Sequence, residues 1–507
     1  MMDLIITLIS KICYFLWGDW IHIPLPGSGT LDLPLLVLIL VPAGIYFTIR
    51  TGFLQIRMFP DMLRAVLEHA GVSKYAEAAE DAEDVEDTEA DDKGAAVPAG
   101  NTPDTAETGK KKKRNGISAL QALVVSTATR VGMGNLVGVV AAVSAGGAGA
   151  VFWMWVTALI GSATAFIEAT LAQLHKEKDP LYGGYRGGPA YYIHDWINSK
   201  RKGAPKKSIL AILFALSGLI CWCGISQVVS NSVTSSFENA FNIPPAYTVS
   251  VLVILAAIIV LRKNATVKVL DVLVPIMAGI YILLTLYMIF TNIGQLGTAF
   301  KNIFTEAFGL RQAAAGTFGA VLMNGVKRGL FSNEAGSGSA PCAAAAAEAS
   351  HPAKVGLMQA FGVFIDTLLC TCTALIMLVV PESVIAGQEG MGLLQAAMAW
   401  HMGEAGVIFI AAVLWLFSFT TFLGILFYAR SNVAYLFGDN WASQTAYKVV
   451  ALVMLFIGGL ATYTFVWDLG DVGIGLMTIF NMIALIPLSK QALDSLKDFE
   501  SKKRLRK

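Results

Sequence analysis

Arg130-Val131-Gly132-Met133-Gly134-Asn135-Leu136-Val137-Gly138-Val139 interrupts one long apolar segment of this chain. A second interruption, Gly325-Val326-Lys327-Arg328-Gly329-Leu330-Phe331-Ser332-Asn333-Glu334-Ala335-Gly336-Ser337-Gly338, falls in another. Each opens a run of five apolar segments. Glycine accepts backbone dihedrals that other residues resist and lets a ligand come close to the chain. An unwound stretch at membrane depth exposes N–H and C=O groups that lipid cannot satisfy, so it persists only when buried in protein or lining a polar cavity. Paired Gly-interrupted segments in corresponding places of two halves point to a solute site at the bilayer midplane.

The composition agrees with a bilayer as solvent. The 507 residues are 55% hydrophobic and 14% charged, with mean hydropathy +0.61, more apolar surface than a soluble fold of this length buries. A spanning helix needs roughly 20 mostly apolar residues. Eleven stretches qualify: 32–50, 118–145, 149–175, 208–236, 246–261, 267–291, 313–349, 355–380, 405–436, 446–466 and 469–489. Lys and Arg crowd alternate connections, including 110–114, 200–207, 262–268 and the tail 502–507. The intervening connections hold almost none beyond Lys301 and Arg311. The positive-inside rule then predicts an outside N-terminus and a cytoplasmic C-terminus, in a multi-pass protein of the cell membrane. Residues 1–20 are apolar and aromatic without a basic start or a cleavage site, and read as an interfacial helix rather than a removed leader. The six cysteines all lie in apolar segments and read as packing groups.

Five regions follow: an N-terminal part (1–70) with an interfacial helix and an extra span, an insert (71–115), two five-helix halves (116–291 and 292–489) and a basic tail (490–507). Within the insert, 77–92 is mostly acid and alanine, and 110–114 is solid base. It cannot bury enough apolar surface to fold and reads as a solvated cytoplasmic tether. Because five is odd, the second half must run through the membrane in the opposite sense to the first. The expected fold is an all-α polytopic membrane protein with a leucine-transporter type 5+5 inverted repeat and one extra N-terminal helix.

A helix resuming after Gly134 offers N–H groups and a positive dipole end, suited to a carboxylate. The carbonyls left behind from Ala128 to Val131 suit a cation or an ammonium group. Glycine clusters also serve plain close packing of helices. Charges at this depth argue for more: Arg130 precedes the first break, Lys327 and Arg328 lie inside the second, and Asn333 with Glu334 follows. Such groups cost about 2.5 to 3.5 kcal/mol each on insertion scales and are usually paired in the bundle interior. The counter-charges in view are Glu168, Glu334 and Asp366, and structural pairing competes with direct cation binding for Asp366. Ser418, Thr420 and Thr421 could bring hydroxyls to the carbonyls near Val131, with back-bonding inside their own helix as the plain alternative.

No P-loop, HExxH, Rossmann fingerprint or suitably placed GxSxG occurs, so neither ATP-driven pumping nor enzymatic chemistry is expected. The six histidines fall mainly near span ends or in loops, with no nucleophile and base side by side. A channel would also want broken helices, but no ring-forming selectivity motif appears.

Several strings together resemble the alanine or glycine:cation symporter family: GGAGAVFWMWVTALIG (146–161), RVGMGNLVGV (130–139), RGGPAYYI (186–193), GVKRGLFSNEAGSGSAP (325–341) and GVFIDTLL (362–369). The resemblance runs from about 118 to 437. It implies sodium-coupled, sometimes proton-coupled, uptake of a small neutral amino acid such as alanine or glycine, with sodium as coupling ion and no other cofactor. By position it implies a pocket from Gly132, Met133, Gly134 and Asn135, from 226–231 with Gln227, Val229 and Asn231, from Phe331, Ser332 and Asn333, and from Thr421 to Ile425. It implies a cation near Ala128, Val131, Thr420, Thr421 and Asp366. Met133 stands where members commonly carry Thr or Ser, Val229 where many carry Gln, Ile425 where many carry Trp or Asn, and Arg430 where Glu is frequent. This lining implies a somewhat more apolar neutral substrate.

Overall fold

A computed structural model describes residues 2–25, 29–69, 117–201, 206–262, 265–308, 318–388, 390–461 and 463–505. The tether expected at 71–115 lies outside the described residues. The rest is almost wholly helical, and a helix occupies each of the eleven apolar stretches. Seven described helices are long and apolar enough to cross a membrane by themselves, eight when one bent pair counts as a single span.

The chain opens with α1 (Met2–Trp17) and an antiparallel hairpin, β1 (Asp19–Leu25) and β2 (Gly29–Pro34). Next come α2 (Leu35–Arg50) and α3 (Phe59–His69). Helix α1 docks on the last helix of the chain: Trp17 Nε1 donates to the Asp471 carbonyl at 3.1 Å and Ser10 Oγ to Asp468 at 3.3 Å.

The first half comprises α4 (Ala119–Arg130), a π-turn (Gly134–Gly138), α5 (Val139–Gly146), α6 (Gly149–Leu174), the short α7 (Pro189–Ser199), α8 (Ile209–Phe241), α9 (Pro245–Val260) and α10 (Ala265–Thr291). Ser118 and Gln121 start α4 with a reciprocal capping box, which satisfies two of the N–H groups a helix start leaves open. The second half comprises α11 (Ile293–Ala307), α12 (Phe318–Asn333), α13 (Pro341–Ala346), α14 (Pro352–Leu378), α15 (Met391–Met402), α16 (Glu404–Phe437), α17 (Trp441–Gly458) and α18 (Tyr463–Leu505). A two-residue parallel bridge pairs Ile117–Ser118, just before α4, with Ala347–Glu348, just after α13. The two interrupted segments are thereby tied at one end of the bundle.

The tail expected at 490–507 is not separate, because α18 runs without a break to Leu505. Its 43 residues span about 65 Å at ~1.5 Å per residue, twice the ~30 Å of a hydrocarbon core. The charged extension is fastened to the neighbouring helix ends. Arg57 meets Glu500 at 2.8 Å, Lys503 meets Asp61, and His351 meets Asp498 at 3.0 Å. The hydrogen bonds from His351 and Lys502 hold the Asp498 carboxyl below its ordinary range.

Candidate substrate and cation site

The first break forms where the sequence places it. Helix α4 ends at Arg130, Val131 leaves the helical region (φ −80°, ψ 69°), and the chain resumes in the π-turn at Gly134. The two parts meet at a bend of 43°. Two of the backbone N–H groups released here have side-chain partners: Gly132 N donates to Asn135 Oδ1 at 2.9 Å and Met133 N to Thr421 Oγ1 at 3.3 Å. Thr421 in turn donates to Phe417 O (2.8 Å) and lies 3.4 Å from Ala128 O. A Cβ on Gly132 would stand 1.9 Å from Thr421 Oγ1, so only glycine lets α16 come this close.

The second break occupies only the later part of the stretch 325–338. Helix α12 runs unbroken through Gly325 and Gly329 to Asn333, and the chain turns at Glu334 (φ 56°), Gly336 (φ 94°) and Gly338 (φ 83°) before α13. The physical reason is that Gly325 and Gly329 are packing glycines. A Cβ on Gly325 would stand 2.6 Å from Ala150 O, and one on Gly329 3.4 Å from Met154 Cα, so both let α12 lie against α6 as small-residue pairs do between membrane helices.

One carboxylate joins the two breaks. Asp366 Oδ1, fully buried on α14, accepts from Asn135 Nδ2 at 2.8 Å and from Ser332 Oγ at 2.6 Å. Gly134 lies against Ser332, with a Cβ there 3.3 Å from Ser332 Cα. A second buried carboxylate braces the later break from outside its own chain segment. Glu168 of α6 accepts from Gly336 N at 3.0 Å and from Asn481 Nδ2, and Asn481 also donates to Gly336 O at 3.1 Å and accepts from the Tyr192 hydroxyl. Glu334 accepts from Ser339 Oγ (2.9 Å) and Tyr428 OH (3.2 Å), and that phenol pairs with Thr129 Oγ1 at 2.6 Å.

The charge pairing departs from expectation. Lys327 and Arg328, inside α12, are not matched by Glu168, Glu334 or Asp366 but by Asp471 of α18, at 2.6 and 3.6 Å. Lys327 also faces the Trp17 ring and Arg328 the Trp467 ring. Arg130 is 1% exposed and gives Nη1 to Gln359, to its carbonyl at 3.0 Å and its Oε1 at 3.1 Å, while its Nε has no partner among the described residues. Asp471 was the missing counter-charge, and its signal was an acid three residues into the apolar stretch 469–489.

Of the predicted pocket, Gly132, Met133, Gly134, Asn135, Ser332, Thr421 and Asp366 come together around the breaks. Asn333 turns its Oδ1 to Ala335 N and leaves Nδ2 buried without a partner among the described residues, and Phe331 stacks obliquely on Trp467. Gln227 and Asn231 face elsewhere, toward Met454 and the carbonyls of Gly458 and Ala461 at the end of α17. Thr420 gives its hydroxyl to Phe417 O and Met277 Sδ, away from Ala128 and Val131. Ser418 Oγ is buried with no partner among the described residues. Met133, Val229 and Ile425 are buried.

Comparison with known proteins adds relatives along nearly the whole chain. A family model described as the sodium:alanine symporter family matches residues 26–83 and 101–507. A probable sodium/glutamine symporter of Bacillus subtilis, GlnT, is 39% identical over 93% of this chain and 88% of its own. A putative sodium/proton-dependent alanine carrier of the same organism, YrbD, is 40% identical over 75% of this chain and 80% of its own. A sodium/alanine symporter of Methanococcus maripaludis, AgcS, is 32% identical over 97% of each chain. All three names include sodium, one of them with protons as well; two name alanine and one glutamine.

Proposed function

Since the chain belongs to the sodium:alanine symporter family, a family of transporters and not of enzymes, we propose that it takes up a small neutral amino acid, of the alanine or glycine class, with sodium as the coupling ion. The reading includes the full architecture: eleven spans, an inverted repeat of 116–291 and 292–489, an outside N-terminus and a cytoplasmic C-terminus. The observation that carries it is the shared Asp366 oxygen, which brings Asn135 of the first break and Ser332, in the last turn of α12 before the second, to one point inside the bundle.

In this reading the substrate carboxylate takes the N-terminus of the helix resuming at Gly134, where aligned N–H groups favour an anion. The ammonium group lies toward Ser332, Asn333 and the Asp366 carboxylate. The sodium ion takes the carbonyls of Ala128 and Val131 and the hydroxyl of Thr421, with the unpartnered Ser418 hydroxyl one turn away on the same helix. Thr420 would have to change rotamer to join them. Transport is alternating access, one helix group rocking against the other around the joined breaks. A cation entering down 100 mV supplies about 2.3 kcal/mol, enough for a roughly fiftyfold substrate gradient at tenfold per ~1.4 kcal/mol.

A second reading is proton-coupled uptake of a more apolar amino acid. It is favoured by Met133, Val229 and Ile425, which put three apolar side chains at positions the family often fills with polar ones. The same experiment separates the two: uptake by protein reconstituted in sealed vesicles, with sodium and pH gradients imposed separately and the twenty amino acids as competitors. Sodium-driven accumulation with alanine or glycine as the strongest competitor supports the first reading. Accumulation driven by the pH gradient alone, with a larger apolar competitor, replaces it with the second, and no gradient-driven accumulation rejects both.

A further inference from the structure

A crevice lined by three basic residues lies apart from the two breaks. It is lined by Val260 and Arg262 at the end of α9, Phe427 and Arg430 of α16, Lys448 of α17, and Tyr182 from the connection after α6, among others. Its charge is unbalanced. Arg430 pairs with Asp179 at 3.0 Å, with its guanidinium over the rings of Tyr182 (3.7 Å) and Phe427 (4.5 Å). Asp179 is already committed, since its other oxygen accepts the amides of Leu181 and Tyr182. Arg262 and Lys448 have no ion-pair partner among the described residues. Three cations thus face one carboxylate. The Tyr182 hydroxyl is buried without a hydrogen-bond partner among the described residues, a donor that a ligand would satisfy.

The surroundings decide which anion fits. The spans α10 and α17 are only 28% buried over their apolar windows, against 61% to 72% for α8, α14 and α16, so the crevice opens among the helices that face lipid. Along α9 and α17, beside the basic residues, stand exposed apolar side chains: Ile258, Leu261 just past the end of α9, Val449 and Val453, each 48% to 53% exposed. A soluble anion would use the cations but not that apolar rim. Basic crevices between spans hold the head groups of acidic lipids, and a guanidinium fork matches a phosphate in particular. We propose that this crevice binds the phosphate of an anionic phospholipid, with Arg262, Lys448 and the Tyr182 hydroxyl as the receiving groups and the acyl chains lying along α9 and α17. The Arg430–Asp179 pair forms the crevice wall and is not itself consumed by the lipid.

The test uses the purified full chain in phosphatidylcholine nanodiscs, with its thermal midpoint followed as phosphatidylglycerol is titrated in. A parallel arm adds inorganic phosphate and another adds more phosphatidylcholine. The expected result is a saturable rise with phosphatidylglycerol alone, weakened about thirtyfold in apparent affinity by Arg262→Gln with Lys448→Gln, the equivalent of ~1 kcal/mol for each basic residue. The double variant should keep the wild-type midpoint in phosphatidylcholine. Should it not fold, Tyr182→Phe, which keeps the ring under Arg430 and removes only the hydroxyl, should still weaken the phosphatidylglycerol response. An undiminished response in these variants would overturn the assignment, and so would an equal rise with inorganic phosphate, which would mark a soluble-anion site.

Discussion

Replacing Gly132 by alanine tests the close approach of α16 to the first break. The backbone at Gly132 is not left-handed, so the substitution carries no dihedral strain, and its whole cost is steric. The new Cβ would fall 1.9 Å from Thr421 Oγ1, with the next atoms at 3.1 Å. Thr421 must therefore turn away, losing its bond to Phe417 O and the one it accepts from Met133 N. Two neutral hydrogen bonds at ~1 kcal/mol each and an off-rotamer side chain at about 0.5 to 1.5 kcal/mol give about 2 to 4 kcal/mol. In a Thr421→Ala background the clash is gone, and the same change should cost under ~1 kcal/mol. The pair should thus show a coupling of about 1.5 to 3 kcal/mol, at the upper end of what contacting residues show. The assay is a double-mutant cycle on the thermal midpoint of the purified protein, since Thr421→Ala alone is expected to impair uptake. Additive effects of the two substitutions would refute the reasoning.

Asp366→Asn keeps an oxygen to accept from Asn135 and Ser332 but removes the charge; the protein should reach the membrane in normal amount with its sodium-stimulated uptake lost, and undiminished stimulation counts against a coupling role. Asp471→Ala strands Lys327 and Arg328 together and should cost about 3 to 5 kcal/mol, as removing one side of a buried pair does; Lys327→Met, which leaves Arg328 to answer Asp471, should lower the thermal midpoint much less, and equal losses would argue against the pairing. Glu168→Gln must set its amide against either the Gly336 N–H or the Asn481 amide, a donor facing a donor at about 1 to 3 kcal/mol; hydrogen exchange at 334–340 should rise in this variant, and unchanged protection there would count against the bracing role.

Much of this molecule is legible in the residues because lipid narrows the choices. Every apolar stretch long enough to matter carries a helix, and the Gly132-Met133-Gly134 interruption is a true break. The second interruption is read too wide because glycine has two uses that look alike in a sequence. At Gly325 and Gly329 it admits a neighbouring helix, whereas at Gly336 and Gly338 it supplies positive φ. The better signal was the polar run from Asn333 to Ser339 closed by Pro341, which starts α13. The family resemblance carries Gln227 and Asn231 into the pocket by register alone, yet their faces of α8 meet α17. Helix register names a residue's neighbours along the chain, while the rotation of the helix chooses its partners across it. The β1–β2 hairpin escapes for another reason: its alternation of apolar and polar residues is a strand signal in a chain otherwise read at helical period.

The unbroken course of α18 has a practical side for anyone handling this protein. What looks like a disposable basic end carries Asp498, Glu500 and Lys503, three of the clasps that hold His351, Arg57 and Asp61. Trimming the gene after the last apolar stretch, at 489, would cut those clasps while leaving every span in place. A purification handle or fluorescent fusion belongs beyond Leu505, where it leaves all three intact.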